Sequence, residues 1–186
     1  MEKRFEENRN TNLIKVAITG PESTGKSQLS EELAVYYQTV WVSEYAREYI
    51  AKLDRPYNAE DILYIAQGQI SSEEKVLFKT NKLLFCDTEL IVTKIWCEHK
   101  FGFCHDWILN MLEKPRYDLY LLCDIDLPWE FDVQREHPDL RKYFFDLYFN
   151  ELTKRNYPFA VINGLNEIRL NNAVESVNKL LHKPLP

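Results

Sequence analysis

The sequence predicts a three-layer, doubly wound α/β domain around a five-stranded parallel sheet. Two observations carry that expectation. Short apolar or β-rich runs recur at 13–19, 39–43, 83–86, 119–123 and 159–162, and longer segments with helical spacing separate them. The chain has 186 residues, 45% of them hydrophobic, which suffices for one sizeable core and falls short of two ordinary domains. Residues 13–186 therefore read as one domain without repeat, low-complexity tract or linker, and residues 1–12 read as a flexible polar tail.

Each element follows in order. The first run ends at Thr19, and the helix after it carries Leu29, Leu33, Tyr36 and Tyr37 on one face. The second run ends in Trp41-Val42-Ser43-Glu44 and the third in Asp87-Thr88-Glu89. The fourth leads into a polar stretch, 126–141, with two prolines, and then into a helix carrying Phe145, Tyr148, Phe149 and Leu152. The fifth ends in Ile162-Asn163-Gly164 before a helix with Leu170, Val174, Val177 and Leu181. Each apolar stripe lays a helix against the sheet. Ligands in such folds bind at the carboxyl ends of the strands, so that edge is where chemistry is expected.

Bulk composition excludes several partners. A formal net charge of −6 gives no general electrostatic reason to bind nucleic acid or an anionic membrane. No apolar run approaches a membrane span, and the first twelve residues lack the apolar segment of a signal peptide, so a cytoplasmic protein is expected. In that compartment Cys86, Cys97, Cys104 and Cys123 are expected to remain thiols. Cys97-Glu98-His99 and Cys104-His105 do not have the spacing of a common zinc site. Nothing in the sequence sets the oligomeric state.

The strongest motif is Gly20-Pro21-Glu22-Ser23-Thr24-Gly25-Lys26-Ser27, which fits G-x-x-x-x-G-K-[ST] between a predicted strand and a predicted helix. Glycines let the backbone turn its N–H groups inward, and the helix N-terminus adds partial positive charge. Lys26 is then expected to reach the β- and γ-phosphates of a nucleotide, and Ser27 to bind Mg²⁺. Nucleotide contacts are expected from Gly20, Glu22, Ser23, Thr24, Gly25, Lys26, Ser27 and the adjoining Gln28.

Further positions point to phosphoryl transfer. Glu44, at a strand end beside this loop, is placed to accept a proton from an attacking hydroxyl, with Arg47 one helical turn on to tether it or neutralise phosphate. Asp87 has the Walker-B position for Mg²⁺, and Glu89 is a candidate for the acceptor side. Stretch 126–141 reads as a lid bringing Arg135 and Arg141 onto the transferring group. Gly164 is a candidate backbone contact for the nucleotide base. Tyr45, Tyr49, Trp96 and Trp107 are candidate rings for the acceptor side, with Tyr49 foremost.

Rival classes fit less well. A GTP switch requires N-K-x-D after a late strand, where this chain reads INGLNE. An AAA-type motor calls for paired acids on the Walker-B strand and an extra helical domain, and neither is evident. A nucleotide-sensing regulator or slow ATPase would share the loop, and Glu44 with the arginine-bearing lid favours a kinase. Arg47 and Arg55 are the only arginines near the second strand, which favours an uncharged hydroxyl over a nucleoside monophosphate as acceptor.

The segments GPESTGKS, SEYAREY, FCDTELIVTKIWC, DVQRE and ING, in that order, resemble the kinase domain of NadR-type ribosylnicotinamide kinases, P-loop ATPase/kinase proteins of NAD metabolism. The likeness runs from about Leu13 to Leu181. It implies strand order 2-3-1-4-5, ATP with Mg²⁺ as donor, and phosphorylation of the ribose 5′-hydroxyl of nicotinamide riboside to nicotinamide mononucleotide. It implies Lys26, Glu44, Asp87 and Arg135 as catalytic residues, Ser27 as a metal ligand, Asp87 on the metal or on the acceptor hydroxyl, and Glu44 with Arg47 on the acceptor side. Many relatives carry an adenylyltransferase domain before the kinase, so adenylylation is expected from another protein. The lid reads DVQR where a glycine is expected after Asp132.

Overall fold

The computed structural model describes residues 13–182; the tail read at 1–12 lies outside them. Five strands, β1 (Ile14–Thr19), β2 (Val40–Val42), β3 (Leu83–Asp87), β4 (Leu119–Cys123) and β5 (Phe159–Ile162), pair in parallel in the order β2-β3-β1-β4-β5. This is the order and the set of strands the sequence leads one to expect. Among the described residues seven α-helices surround the sheet: α1 (Lys26–Tyr36), α2 (Tyr45–Ala51), α3 (Ala59–Val76), α4 (Leu90–Phe101), α5 (Asp106–Met111), α6 (Arg141–Lys154) and α7 (Glu167–Leu181).

The sheet divides the core by strand alternation. Val16 and Ile18 of β1, Phe85 of β3 and Leu121 of β4 face α1 and α7, packing on Leu29, Leu33, Ala173 and Val177. Ala17, Leu84, Cys86, Tyr120 and Leu122 face the other way, onto Ile62 and Ile65 of α3, Ile91 and Ile95 of α4, and Tyr148 and Leu152 of α6. Both faces of β3 and β4 are buried, so these strands read as continuous apolar runs, as central parallel strands do. Register brings Ile18 opposite Asp87 and Thr19 opposite Leu122, so the strand ends line up at one edge.

Three expected helix faces shift. In α1, Leu29 and Leu33 are buried but Tyr36 is exposed, because the helix ends there and Tyr37 turns its hydroxyl to Asn178 of α7 (2.9 Å). In α6 the buried stripe is Phe144, Tyr148 and Leu152, an i, i+4 series, and Phe149 is exposed. In α7 Ala173, Val174 and Val177 are buried and Leu181 is exposed at the helix end.

The segment before α3 is fixed by Asn58, whose side chain accepts from the backbone N–H of Glu60 and Asp61, while Asp61 accepts from the N–H of Asn58 and pairs with Arg55 (2.6 Å). All four cysteines are free thiols, three of them buried. Among the described residues no helix is long and apolar enough to cross a membrane.

Candidate active site

The loop from β1 to α1 is shaped for an anion. Gly20 has φ of +130°, and a Cβ there would lie 2.9 Å from the carbonyl oxygen of Cys123, so β4 passes too close for any side chain. Gly25, at φ +73°, caps α1 without a side-chain hydrogen bond, and the first turn of α1 contains no acid. The amides at that helix start are thus left for a ligand. Lys26 Nζ donates to the carbonyl of Pro21 (2.6 Å), which also accepts from Thr24 Oγ1 (2.9 Å), so the lysine lies back over its own loop.

Asp87 closes β3 beside this loop. It is 1% exposed, and its Oδ1 has no hydrogen-bond partner among the described residues. Burial, followed by the negative charge of Glu44, pushes its carboxyl up to about 6, while the Ser27 hydroxyl, Lys26 and Arg47 act in the opposite direction. A buried carboxylate oxygen without a partner next to a serine hydroxyl is a hard-oxygen donor set of the kind Mg²⁺ takes. The residues present fit that ion.

Glu44 sits where β2 turns into α2, as the N-cap residue of α2, and lines the cleft above the loop. Arg47 Nε lies 3.4 Å from Glu44 Oε2, and its Nη1 donates to Asp132 Oδ2 (2.9 Å) in the 126–141 stretch. That stretch does lie over the phosphate loop. Ser23 Oγ accepts from the Glu130 N–H (2.9 Å) and from Arg135 Nη1 (3.3 Å), and the Ser23 carbonyl accepts from Arg141 Nη2 (3.1 Å). Arg141 Nε, also buried, has no partner among the described residues. Glu22 turns its carboxylate to backbone N–H groups of the lid rather than toward the loop amides.

A cleft of about 670 Å³ runs from the loop to the opposite wall. That wall is apolar and aromatic, with Ile50, Val92, Ile95, Trp96, Phe144 and Tyr148, and its polar edge holds Tyr57, His99 and His137. Trp96 Nε1 donates to the Tyr57 hydroxyl (2.9 Å) and the rings meet edge-to-face at 4.9 Å. His99 and His137 meet similarly at 4.8 Å. Of this wall, the sequence singles out only Trp96 as an acceptor-side candidate. Its helical signal was present, since Val92, Ile95, Trp96 and His99 follow i, i+3, i+4 and i+7 spacing on α4.

The structure brings Gly20, Glu22, Ser23, Thr24, Gly25, Lys26, Ser27, Gln28, Glu44, Arg47 and Arg135 to this one cleft. Asp87 and Arg141 are not among the lining residues, and five further expected residues stand elsewhere. Tyr49 points at α3, its hydroxyl donating to Asp61 (2.9 Å), and it does not line the cleft. Glu89 is buried as the N-cap of α4, accepting from Ile91 N–H (2.6 Å) and Thr19 Oγ1 (2.9 Å), and burial pushes its carboxyl up to about 7. Gly164 gives its N–H to Asp126 (2.6 Å), and the next two residues, Leu165 and Asn166, line the cleft instead. Tyr45 packs its ring against Gly68, where a Cβ would lie 2.1 Å from it, and neither Tyr45 nor Trp107 is among the cleft-lining residues.

A family model described as an AAA domain matches residues 15–169. The trifunctional NAD biosynthesis/regulator protein NadR of Salmonella typhimurium strain LT2 is 28% identical over 173 residues, covering 89% of this chain and 42% of the relative. Its namesake from Escherichia coli K12 is 29% identical over 175 residues, with the same coverage. The chain therefore spans about two fifths of the length of these curated relatives, 42% in each case. Among solved structures, a NadR protein in complex with NAD and AMP-PNP superposes with a TM-score of 0.75 at 20% identity, covering 94% of this chain and 51% of that one. A NadR protein in complex with NR gives 0.73 at 20% identity over 94% and 52%. Thymidylate kinase from Ehrlichia chaffeensis gives 0.64 at 16% identity over 92% and 100%. At these identities the structural likeness establishes the fold, that of P-loop kinase-like proteins.

Proposed function

Because the chain belongs to the AAA domain family of P-loop proteins, we propose that it is an ATP-dependent small-molecule kinase. In this reading it transfers the γ-phosphoryl of Mg-ATP to the ribose 5′-hydroxyl of a nucleoside, with nicotinamide riboside as acceptor and nicotinamide mononucleotide as product. One observation carries the reading: the Glu44 carboxylate shares a cleft with the phosphate loop and is tied through Arg47 to the lid. The nucleotide-sensing alternative gives that carboxylate no proton-transfer role. A motor has less support, since β3 ends in one acid, Asp87, followed by Thr88. The nicotinamide acceptor is supported by the two curated relatives' names and by the NadR structure containing NR.

The roles follow from position. Lys26 and the amides at the start of α1 hold the β- and γ-phosphates. Arg135 and Arg141 offset charge on the transferring group, and the lid over it excludes water. Glu44 orients the hydroxyl and takes its proton as the new P–O bond forms and ADP departs. Ser27 and Asp87 would hold Mg²⁺, which when bound would offset the negative charge of the phosphates. Trp96 and the wall around it offer an aromatic face to a cationic pyridinium ring.

A coupled ADP-release assay with Mg-ATP and a panel of nucleosides and nucleoside monophosphates tests the proposal. ADP release that rises with nicotinamide riboside, and not with monophosphates, is expected. ATP binding with no acceptor-dependent release makes the chain a nucleotide sensor.

A further inference from the structure

One lid residue is fastened to both ends of the cleft. The backbone N–H groups of Glu136 and His137 converge on the carboxylate of Glu22, at 3.1 and 3.2 Å. The side chain of the same Glu136 accepts from the Tyr57 hydroxyl (2.8 Å) and from Lys100 Nζ (3.0 Å) on the acceptor wall. Lys100 also lies over the Tyr57 ring, 3.8 Å from its centroid, and Tyr57 is hydrogen-bonded to Trp96. Arg135 immediately precedes this junction in the chain.

Residues 128–137 have no helix or strand, so side-chain contacts set their orientation. Two adjacent amides on one carboxylate form charge-assisted bonds that fix both position and direction. A free carboxylate in a phosphate loop would repel the triphosphate. Engaged by the lid, Glu22 has its lone pairs turned away from that site.

We propose that Glu22 and Glu136 are positioning residues for phosphoryl transfer. Glu22 anchors the lid and so sets Arg135 over the transferring group, and Glu136 links that anchor, through Tyr57 and Lys100, to the wall where the acceptor lies. Glu22 is then not a nucleotide ligand, although it stands within the phosphate-binding motif. The inference rests on the kinase reading for its kinetic consequence and on the hydrogen bonds alone for its structural one.

The test has two readouts on the full chain. The first is residue-resolved amide exchange of Glu136 and His137 with a non-hydrolysable ATP analogue and Mg²⁺ present. In Glu22→Ala these two amides are expected to exchange at least about tenfold faster than in wild type, with β1 and β4 amides unchanged. The second is kinetic. Glu22→Ala is expected to lower kcat by about 10- to 100-fold while the KM for ATP moves less than about threefold, Glu22→Gln to recover most of the loss, and Glu136→Gln to raise the acceptor KM. Unchanged exchange at both amides in Glu22→Ala overturns the anchor, whatever the acceptor proves to be. A raised KM for ATP at constant kcat makes Glu22 a nucleotide ligand and overturns its positioning role. If no acceptor is phosphorylated at all, the kinase reading fails, while the exchange result still decides the anchor.

Discussion

At the phosphate end of the cleft, eight consecutive residues, 20–27, present main-chain amides and one lysine; at the acceptor end, Glu44, Tyr57, Trp96, His137 and Tyr148 arrive from five separate parts of the chain. The first end is a matter of local backbone shape, fixed by Gly20 and Gly25 at positive φ. The second is a matter of packing, fixed by which helix faces meet across the sheet edge. A site of the first kind is sensitive to glycine replacement and indifferent to much else. A site of the second kind tolerates backbone noise but depends on individual side chains. In the proposed reading, nucleotide binding and acceptor use are therefore expected to be separable by mutation.

Substitutions break that comparison in order of expected effect. Lys26→Ala removes the side-chain cation of residues 20–27, and turnover with Mg-ATP is expected to fall about 10³-fold, measured as ADP release. Glu44→Gln acts on the acceptor end alone: transfer to acceptor falls about 10²-fold while calorimetric affinity for an ATP analogue stays at the wild-type value. A near-wild-type rate removes Glu44 from the base role. Gly20→Ala puts a Cβ 2.9 Å from the Cys123 carbonyl at φ +130°, and is expected to destabilise the fold by about 1–3 kcal/mol in denaturant melts.

The carboxyls at the strand edge sharpen the comparison through pH. Asp87 and Glu89 are pushed up to about 6 and about 7, burial being the main cause in each. Their unfolded values are near 4, so between about pH 4 and 7 the folded chain binds more protons than the unfolded one, and stability falls as pH rises through that window. Melts without nucleotide from pH 5.5 to 8 are expected to show a declining Tm, by about 2–4 °C per kcal/mol, with a flatter decline in Asp87→Asn. Affinity for Mg²⁺-nucleotide runs the other way, weakening below about pH 6 as Asp87 takes a proton. The smallest effect is at Tyr49. Tyr49→Ala loses the bond to Asp61 and is expected to cost about 1 kcal/mol with the acceptor KM unmoved.

Legibility in the sequence tracks the same division. The central strands β3 and β4 were readable because they are buried on both faces and so appear as nearly unbroken apolar runs, while the strand order came with the family resemblance. The phosphate loop was readable because its function needs glycines at fixed spacing. The acceptor wall was not, since Val92, Ile95, Trp96 and His99 form a helix face that reads like any core stripe until α6 and the lid close over it. In α6 the paired Phe144-Phe145 left the register open by one residue, and Phe144 won because it continues into Tyr148 and Leu152. Glu89 looked free beside Asp87, but the amides at the start of α4 claim it. The motif alone makes Glu22 a nucleotide contact, and only the fold places amides of the 126–141 stretch on its carboxylate.

The measurement that bears most directly on the central claim is the fate of the γ-phosphoryl group, followed by ³¹P NMR in wild-type protein with Mg-ATP and nicotinamide riboside. The account predicts a growing phosphomonoester signal, that of nicotinamide mononucleotide, matched by ADP and absent in Glu44→Gln. Inorganic phosphate as the sole product, at a rate indifferent to the riboside, would contradict it.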